Sequence, residues 1–244
     1  MIDYSVIIPA KDEADNIATL LLEIDQALSG STYEVIVVDD GSSDATAERA
    51  LGATTTMNGE VCVIKHAQSC GQSTALYTAA LHATGRYIVV LDADGQNDPA
   101  DIIKLVEESQ TITAPHFCVI GHRQKRKDTG WKRFQSRIAN NFRKSILKDD
   151  TPDTGCGLKL LPRETYLRLP YFNHMHRFVP ALVKRLGGEV KSVAVNHRPR
   201  TQGVSKYNAW NRAWAGLLDI LGVLWLNYRS KRPQIVAIER RGKS

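Results

Sequence analysis

Short, uninterrupted runs of β-branched and apolar residues recur along the first half of the chain, each followed by a segment of helical spacing. The runs are Ser5–Ile8 closed by Pro9, Glu34–Val38, Val61–Ile64, Tyr87–Leu91 and Phe117–Ile120. Runs without polar alternation read as strands buried on both faces. Between them, Ile17, Leu20, Leu21, Ile24 and Leu28 keep one helical face, and helices are expected up to about Leu51, over Thr74–Ala83 and over Asp101–Ser109. Asp12 or Asp15 is the expected cap of the first helix, and Ser43 or Asp44 that of the second. This alternation predicts an α/β fold with a mostly parallel central sheet and helices on both faces. Such sheets bind ligands beyond the carboxyl ends of their strands, near the point where strand order reverses. Three polar strand ends fall there: Pro9–Glu13, Asp39-Asp40-Gly41-Ser42 and Asp92-Ala93-Asp94.

The third end carries the most chemistry. If the strand conformation continues, Asp92 and Asp94 share side-chain parity and can reach one point. Paired carboxylates suit a hard divalent cation, Mg²⁺ or Mn²⁺, that also grips phosphates. A solvated turn is the plainer reading, since Asp is common in turns. Gly95 permits a tight turn, and Pro99 suits the first position of a following helix. The chain has neither GxGxxG after the first strand nor GxxxxGK[ST]. A phosphate-bearing ligand would therefore need a cation or basic side chains, which points to a metal-bridged nucleoside diphosphate.

Of 244 residues, 43% are hydrophobic and 24% charged, ordinary for a chain with a core. The four cysteines form no CxxC pair, which favours reduced thiols and a cytosolic compartment. No signal peptide is expected at the start. The net charge is +6, but Arg123–Lys148 holds ten Lys/Arg against Asp128 alone, a local +9 that leaves 6 − 9 = −3 elsewhere. Such a block suggests an anionic partner, with a solvated basic face as the alternative. Within it Trp131, Phe134, Ile138, Phe142 and Ile146 form an amphipathic stripe flanked by Arg133, Arg137 and Lys144. That pattern suits either an anionic lipid interface or a helix packed on the core.

Three motifs in order resemble the signatures of family 2 glycosyltransferases: Ile7-Ile8-Pro9-Ala10-Lys11-Asp12-Glu13 with Asn16, Val38-Asp39-Asp40-Gly41-Ser42-Ser43-Asp44, and Leu91-Asp92-Ala93-Asp94-Gly95-Gln96-Asn97-Asp98-Pro99. Within that family the chain is similar to the dolichyl- and polyprenyl-phosphate sugar transferases, from Val6 to about Tyr207. The resemblance implies a nucleotide-sugar-binding GT-A fold. It places Pro9, Ala10, Glu13, Val38 and Asp40 at the nucleotide sugar, joined by Asp92, Ala93 and Asp94. It assigns Asp92, Asp94 and Gln96 to the metal and donor diphosphate, and Arg123, Arg137, Arg200 and Lys206 to the acceptor phosphate. Asp153, in the turn-rich loop Asp153–Gly157, matches an acidic residue near the acceptor. Asp94, Arg123 and Asp153 are thus the expected catalytic residues.

Leu158–Leu161 and Glu189–Asn196 read as further strands and Phe178–Leu186 as a core helix. The apolar run Trp214–Leu226, broken by Asp219 and Gly222, is shorter than the roughly 20 residues that cross a bilayer. With Tyr228-Arg229-Ser230-Lys231-Arg232 behind it, it suits a helix in the headgroup region or one packed on the domain. The expected organisation is a catalytic domain over 1–207 and a membrane-associating helical segment over 208–244. The resemblance implies inverting transfer from a GDP- or UDP-linked sugar to a polyprenyl monophosphate. The protein would be peripheral on the cytoplasmic face of the membrane, with a small membrane protein or a second copy as possible partners and no nucleic acid. The rivals are a saccharide-hydroxyl acceptor with Asp153 as base, a non-catalytic membrane- or nucleic-acid-binding protein on the same fold, and, more weakly, a nucleotidyltransferase.

Overall fold

A computed structural model describes residues 2–54, 57–123, 151–199 and 209–229, with side chains in the last stretch from 218 onward. The described strands are β1 (Tyr4–Ala10), β2 (Tyr33–Asp39), β3 (Glu60–Lys65), β4 (Tyr87–Val90), β5 (Phe117–Arg123), β6 (Lys159–Pro162) and β7 (Glu189–Val195). The described helices are α1 (Ala14–Ala27), α2 (Thr46–Ala53), α3 (Gln72–His82), α4 (Ile102–Gln110), α5 (Arg163–Leu167), α6 (Val179–Arg185) and α7 (Ala209–Arg229).

The strands form one sheet in the order β3-β2-β1-β4-β6-β5-β7. From β1 the chain builds outward to β2 and β3, then crosses back to lay β4 on the other side of β1, both in parallel. The reversal of strand order therefore lies between β1 and β4, where a crevice opens at the carboxyl ends. The expected mostly parallel sheet is present, with one reversal: β6 runs antiparallel between β4 and β5.

Burial explains the sequence pattern. All seven residues of β2 are buried, and Val6, Ile7 and Ile8 of β1 are fully enclosed. On α1 the stripe Ile17, Leu20, Leu21 and Ile24 is buried. That helix packs on α2 and on the 3-10 turn Pro99–Asp101, while α3 packs on β1, β2 and α5. Each large apolar side chain so enclosed contributes about 1.5–3 kcal/mol over leaving it in water.

The caps differ from expectation. Neither Asp12 nor Asp15 caps α1: Asp12 turns into the left-handed region at φ 54°, tolerable for Asp. The donors at the start of α1 are met from the next loop, Glu13 N by Thr46 Oγ1 at 2.9 Å and Ala14 N by Asp44 Oδ2 at 3.2 Å. Asp44 also accepts from Thr46 N at 3.0 Å, so one carboxylate serves two helix starts. Asp98 caps the Pro99 turn, accepting from Ala100 N at 3.1 Å.

Candidate active site

The loops after β1 and β2 are tied together. Asp12 N donates to Ser42 Oγ at 3.0 Å, and Asp12 Oδ1 accepts from Ser43 N at 2.8 Å. Glu13 Oε2 accepts from Asn16 Nδ2 at 2.7 Å. Pro9 pairs with Val38 and Ala10 with Asp39 across the two strands. Val38 and Ala10 are enclosed, so they shape the crevice floor more than they present side-chain surface.

Asp40 is the anchor of the loop after β3. Its Oδ1 accepts from His66 Nδ1 and Cys70 N, and its Oδ2 from Ser69 Oγ and Gly71 N, each at 2.8 Å. Burial pushes this carboxyl upward, but these four donors outweigh it and hold it below the usual range. Asp40, His66 and Cys70 each offer a ligand atom within 4.8 Å of the others. With two donors already on each oxygen, the cluster is a saturated hydrogen-bond node, poorly suited to an ion. A nucleoside reaching Asp40 must displace one of these donors. Gly41, at φ 69°, lets the loop touch the Gln68–Ser69 backbone, where a Cβ would collide.

The carboxylate pair sits beyond β4. The strand ends at Val90, and a turn begins at Ala93, so strand parity does not align Asp92 with Asp94. Within the turn, Asp94 Oδ1 accepts from Gln96 N at 3.1 Å, and Gly95 takes φ 68°. Asp92 Oδ1 accepts from Gln72 Nε2 at 2.8 Å. Burial first, then the neighbouring Asp94, push the Asp92 carboxyl up, against Lys159, Arg123 and a hydrogen bond from Asn97. Two crowded carboxylates in a sheltered site, with the Gln96 amide nearby in sequence, form a hard oxygen donor set that fits Mg²⁺ or Mn²⁺. Among the described residues Asp94 Oδ2 takes no hydrogen bond, so one acceptor oxygen remains for a ligand.

Arg123 and Asp153 meet each other. Arg123 Nε donates to Asp153 Oδ2 at 2.6 Å and Nη2 to Oδ1 at 2.8 Å. The loop that carries Asp153 then folds over Asp92: a Cβ at Gly157 would collide with the Asp92 carboxylate. Past this loop, Lys159 is buried in β6.

The segment after β7 is strapped to the loop after β4. Asn97 and His197 form an antiparallel bridge, and Arg198 N donates to Gln96 O at 2.9 Å. The Arg198 guanidinium reaches Glu23 Oε2 at 2.7 Å and Asp98 Oδ1 at 2.9 Å. Arg137, Arg200 and Lys206, and the stripe from Trp131 to Ile146, lie outside the described residues.

The C-terminal helix α7 packs by one face. Asp219 Oδ2 lies 3.0 Å from His174 Nδ1, and Val223 is fully buried. Leu218, Leu221, Trp225 and Tyr228, spaced three, four and three apart, are exposed. No described helix is long and apolar enough to cross a membrane.

Sequence reasoning missed Gln72, Asn97, Gly157 and Lys159. A lysine inside an apolar strand was the available signal for Lys159. The others are glycine and amide positions whose roles depend on long-range packing.

The mostly parallel seven-stranded sheet, with its strand-order reversal between β1 and β4, is of the GT-A type. The chain belongs to glycosyl transferase family 2, whose model matches residues 5–168. It is similar to a dodecaprenyl-phosphate galacturonate synthase of Rhizobium johnstonii, 30% identical over 95% of this chain and 69% of that protein. It is also similar to an undecaprenyl-phosphate 4-deoxy-4-formamido-L-arabinose transferase of Enterobacter sp., 31% identical over 84% of this chain and 62% of that protein. The chain thus spans about two thirds of the length of these curated relatives, 69% and 62%. In fold it matches glucosyl-3-phosphoglycerate synthase from Mycobacterium tuberculosis in complex with UDP, with a TM-score of 0.65 at 18% identity over 93% of this chain and 80% of that one. The same synthase in complex with Mg²⁺ and UDP gives 0.65 at 20% identity, over 93% and 79%.

Proposed function

We propose that the protein transfers a sugar, with inversion, from a nucleotide-diphosphate sugar to a polyprenyl monophosphate. The observation that carries this is the placement of Asp92 and Asp94 at the β1/β4 switch point, beside the latched loops after β1 and β2. The names of the two relatives supply the acceptor class. Pro9, Ala10, Glu13, Val38 and Asp40 would frame the nucleoside, and Ala93 with Asp92 and Asp94 the sugar diphosphate. Mg²⁺ or Mn²⁺, held by Asp92, Asp94 and Gln96, would neutralise the charge that develops on the leaving diphosphate.

An acceptor phosphate is already anionic at neutral pH, so no general base is required. Arg123, Arg137, Arg200 and Lys206 are proposed to screen repulsion between the two substrates and aim the attacking oxygen. Arg123 would do so with one edge of its fork held by Asp153. That pairing counts against a saccharide-hydroxyl acceptor, because both oxygens of the candidate base accept from a guanidinium. We place the protein on the cytoplasmic membrane face, with residues 1–207 catalytic and 208–244 associating with lipid. The exposed apolar side of α7 supports this.

The test is a screen of GDP- and UDP-linked sugars against a polyprenyl phosphate with Mn²⁺, with the glycolipid followed by mass spectrometry. A polyprenyl-phosphate sugar is the expected product. Transfer only to saccharide or water would overturn the acceptor assignment.

A further inference from the structure

Lys159 has no part in the reading above, yet its placement is unusual. It sits on β6 between Val90 of β4 and Ile120 of β5, at 4% exposure. Among the described residues it is the one lysine or arginine that is buried. Its Nζ donates to the Cys156 carbonyl at 2.5 Å. An ammonium has three donors, and no described carboxylate lies within ion-pairing distance of this one. Burying a lysine without an ion pair costs stability. Its partner on β4, Val90, stands two residues before Asp92, and its charge opposes the upward push that burial gives the Asp92 carboxyl.

The charge count gives the lysine a purpose. Asp92, Asp94 and Asp153 contribute −3 and Arg123 contributes +1, so without Lys159 the cluster stands at −2. A divalent ion would bring that cluster to zero. With Lys159 the ion-loaded cluster reaches +1. We infer that Lys159 is the fixed cation of the diphosphate subsite, a positioning residue buried on β6 that makes the metal-loaded cluster of Asp92, Asp94, Asp153 and Arg123 net positive. This rests on the metal–diphosphate reading of Asp92 and Asp94.

Two variants of the full chain test it. Lys159→Met removes charge and hydrogen bond together; Lys159→Gln keeps an N–H for the Cys156 carbonyl and removes the charge alone. Mn²⁺ binding would be followed by electron paramagnetic resonance of the free ion, and GDP and UDP binding in saturating Mn²⁺ by calorimetry. In both variants nucleotide affinity should fall about ten- to a hundredfold, the span one favourable charge commands in a partly buried site. Mn²⁺ alone should bind at least as tightly as to the wild type, because a repelling cation is gone. The melting temperature of Lys159→Met should not fall; if that variant does not fold, Lys159→Gln decides. Unchanged nucleotide affinity would overturn the inference, and so would a parallel loss of Mn²⁺ binding, which would make Lys159 a mere support for Asp92. A wild type that binds neither Mn²⁺ nor nucleotide would instead overturn the metal–diphosphate reading itself.

Discussion

Arg123 and Asp153 form a two-pronged ion pair, with Nε–Oδ2 at 2.6 Å and Nη2–Oδ1 at 2.8 Å, and both side chains are largely shielded at 15% and 12% exposure. From the sequence alone they are expected in separate roles, Arg123 at the acceptor phosphate and Asp153 as an acidic residue near the acceptor, a base only if the acceptor is a saccharide hydroxyl. Their fork makes them one unit, in which Asp153 fixes the angle of the guanidinium plane. Asp153→Ala would leave a sheltered cation unpaired. A loss of about 3–5 kcal/mol is expected, read from the urea midpoint. An unchanged midpoint would show that the pair holds nothing together.

Asp94→Asn keeps the size of the side chain and the Oδ1 acceptor for Gln96 N, but removes the charge a divalent ion needs. Metal-dependent turnover should fall by at least a hundredfold, with the circular dichroism spectrum preserved. Near-normal transfer at saturating Mn²⁺ would sink the metal assignment.

Gly157→Ala inserts a methyl group where the Asp92 carboxylate and the Asn97 amide already sit. Asp92 must rotate away or the 153–157 loop must lift. Mn²⁺ affinity should drop at least tenfold while Asp94 remains intact. Titration of free Mn²⁺ against the variant is the measurement, and wild-type affinity would mean that the loop gives way freely.

Acid should loosen the amino-terminal end of the β1 and β2 strands. Glu34 is buried and accepts from Ser5 Oγ at 2.6 Å, Thr84 N at 2.7 Å and Thr84 Oγ1 at 2.9 Å. Burial pushes its carboxyl up, yet these bonds prevail and hold it below its ordinary 4.5. A carboxyl lowered in the folded state binds fewer protons there than in the unfolded chain. Its stabilisation is complete above the unfolded value and is lost as pH falls through the folded one. Unfolding midpoints should therefore decline below about pH 4.5, and Glu34→Gln should flatten part of that decline. A variant whose midpoint follows the wild-type slope would assign the acid sensitivity elsewhere.

The strands were legible because buried parallel strands have a distinctive composition: β1, β2 and β4 fall within a residue or two of their apolar runs. The three acidic strand ends were legible for the same reason, since a polar residue closing an apolar run marks the sheet's edge. The antiparallel course of β6 was not. Nothing in Lys159–Pro162 encodes direction, which is set by where the preceding loop re-enters the sheet. The cap of α1 was not legible because Asp44 and Thr46 serve that helix across some 30 residues of sequence. Asp40 stands out in the sequence at a polar strand end, but its partners His66, Ser69 and Cys70 lie in a loop with no local reason to approach it.

The Asp92 carboxylate is touched by Gln72 from α3, Asn97 from the turn beyond β4 and Gly157 from the loop before β6. Its surroundings therefore come from stretches up to 85 positions apart along the chain. Neither half of the polypeptide contains them all, so a ligand there can bind only where the long-range contacts have already closed. Such a ligand acts as a thermodynamic weight on the whole folded state, adding about 2.7 kcal/mol at a hundredfold excess over its dissociation constant. Nucleotide and metal availability would then set how long this chain persists folded as well as how fast it turns over.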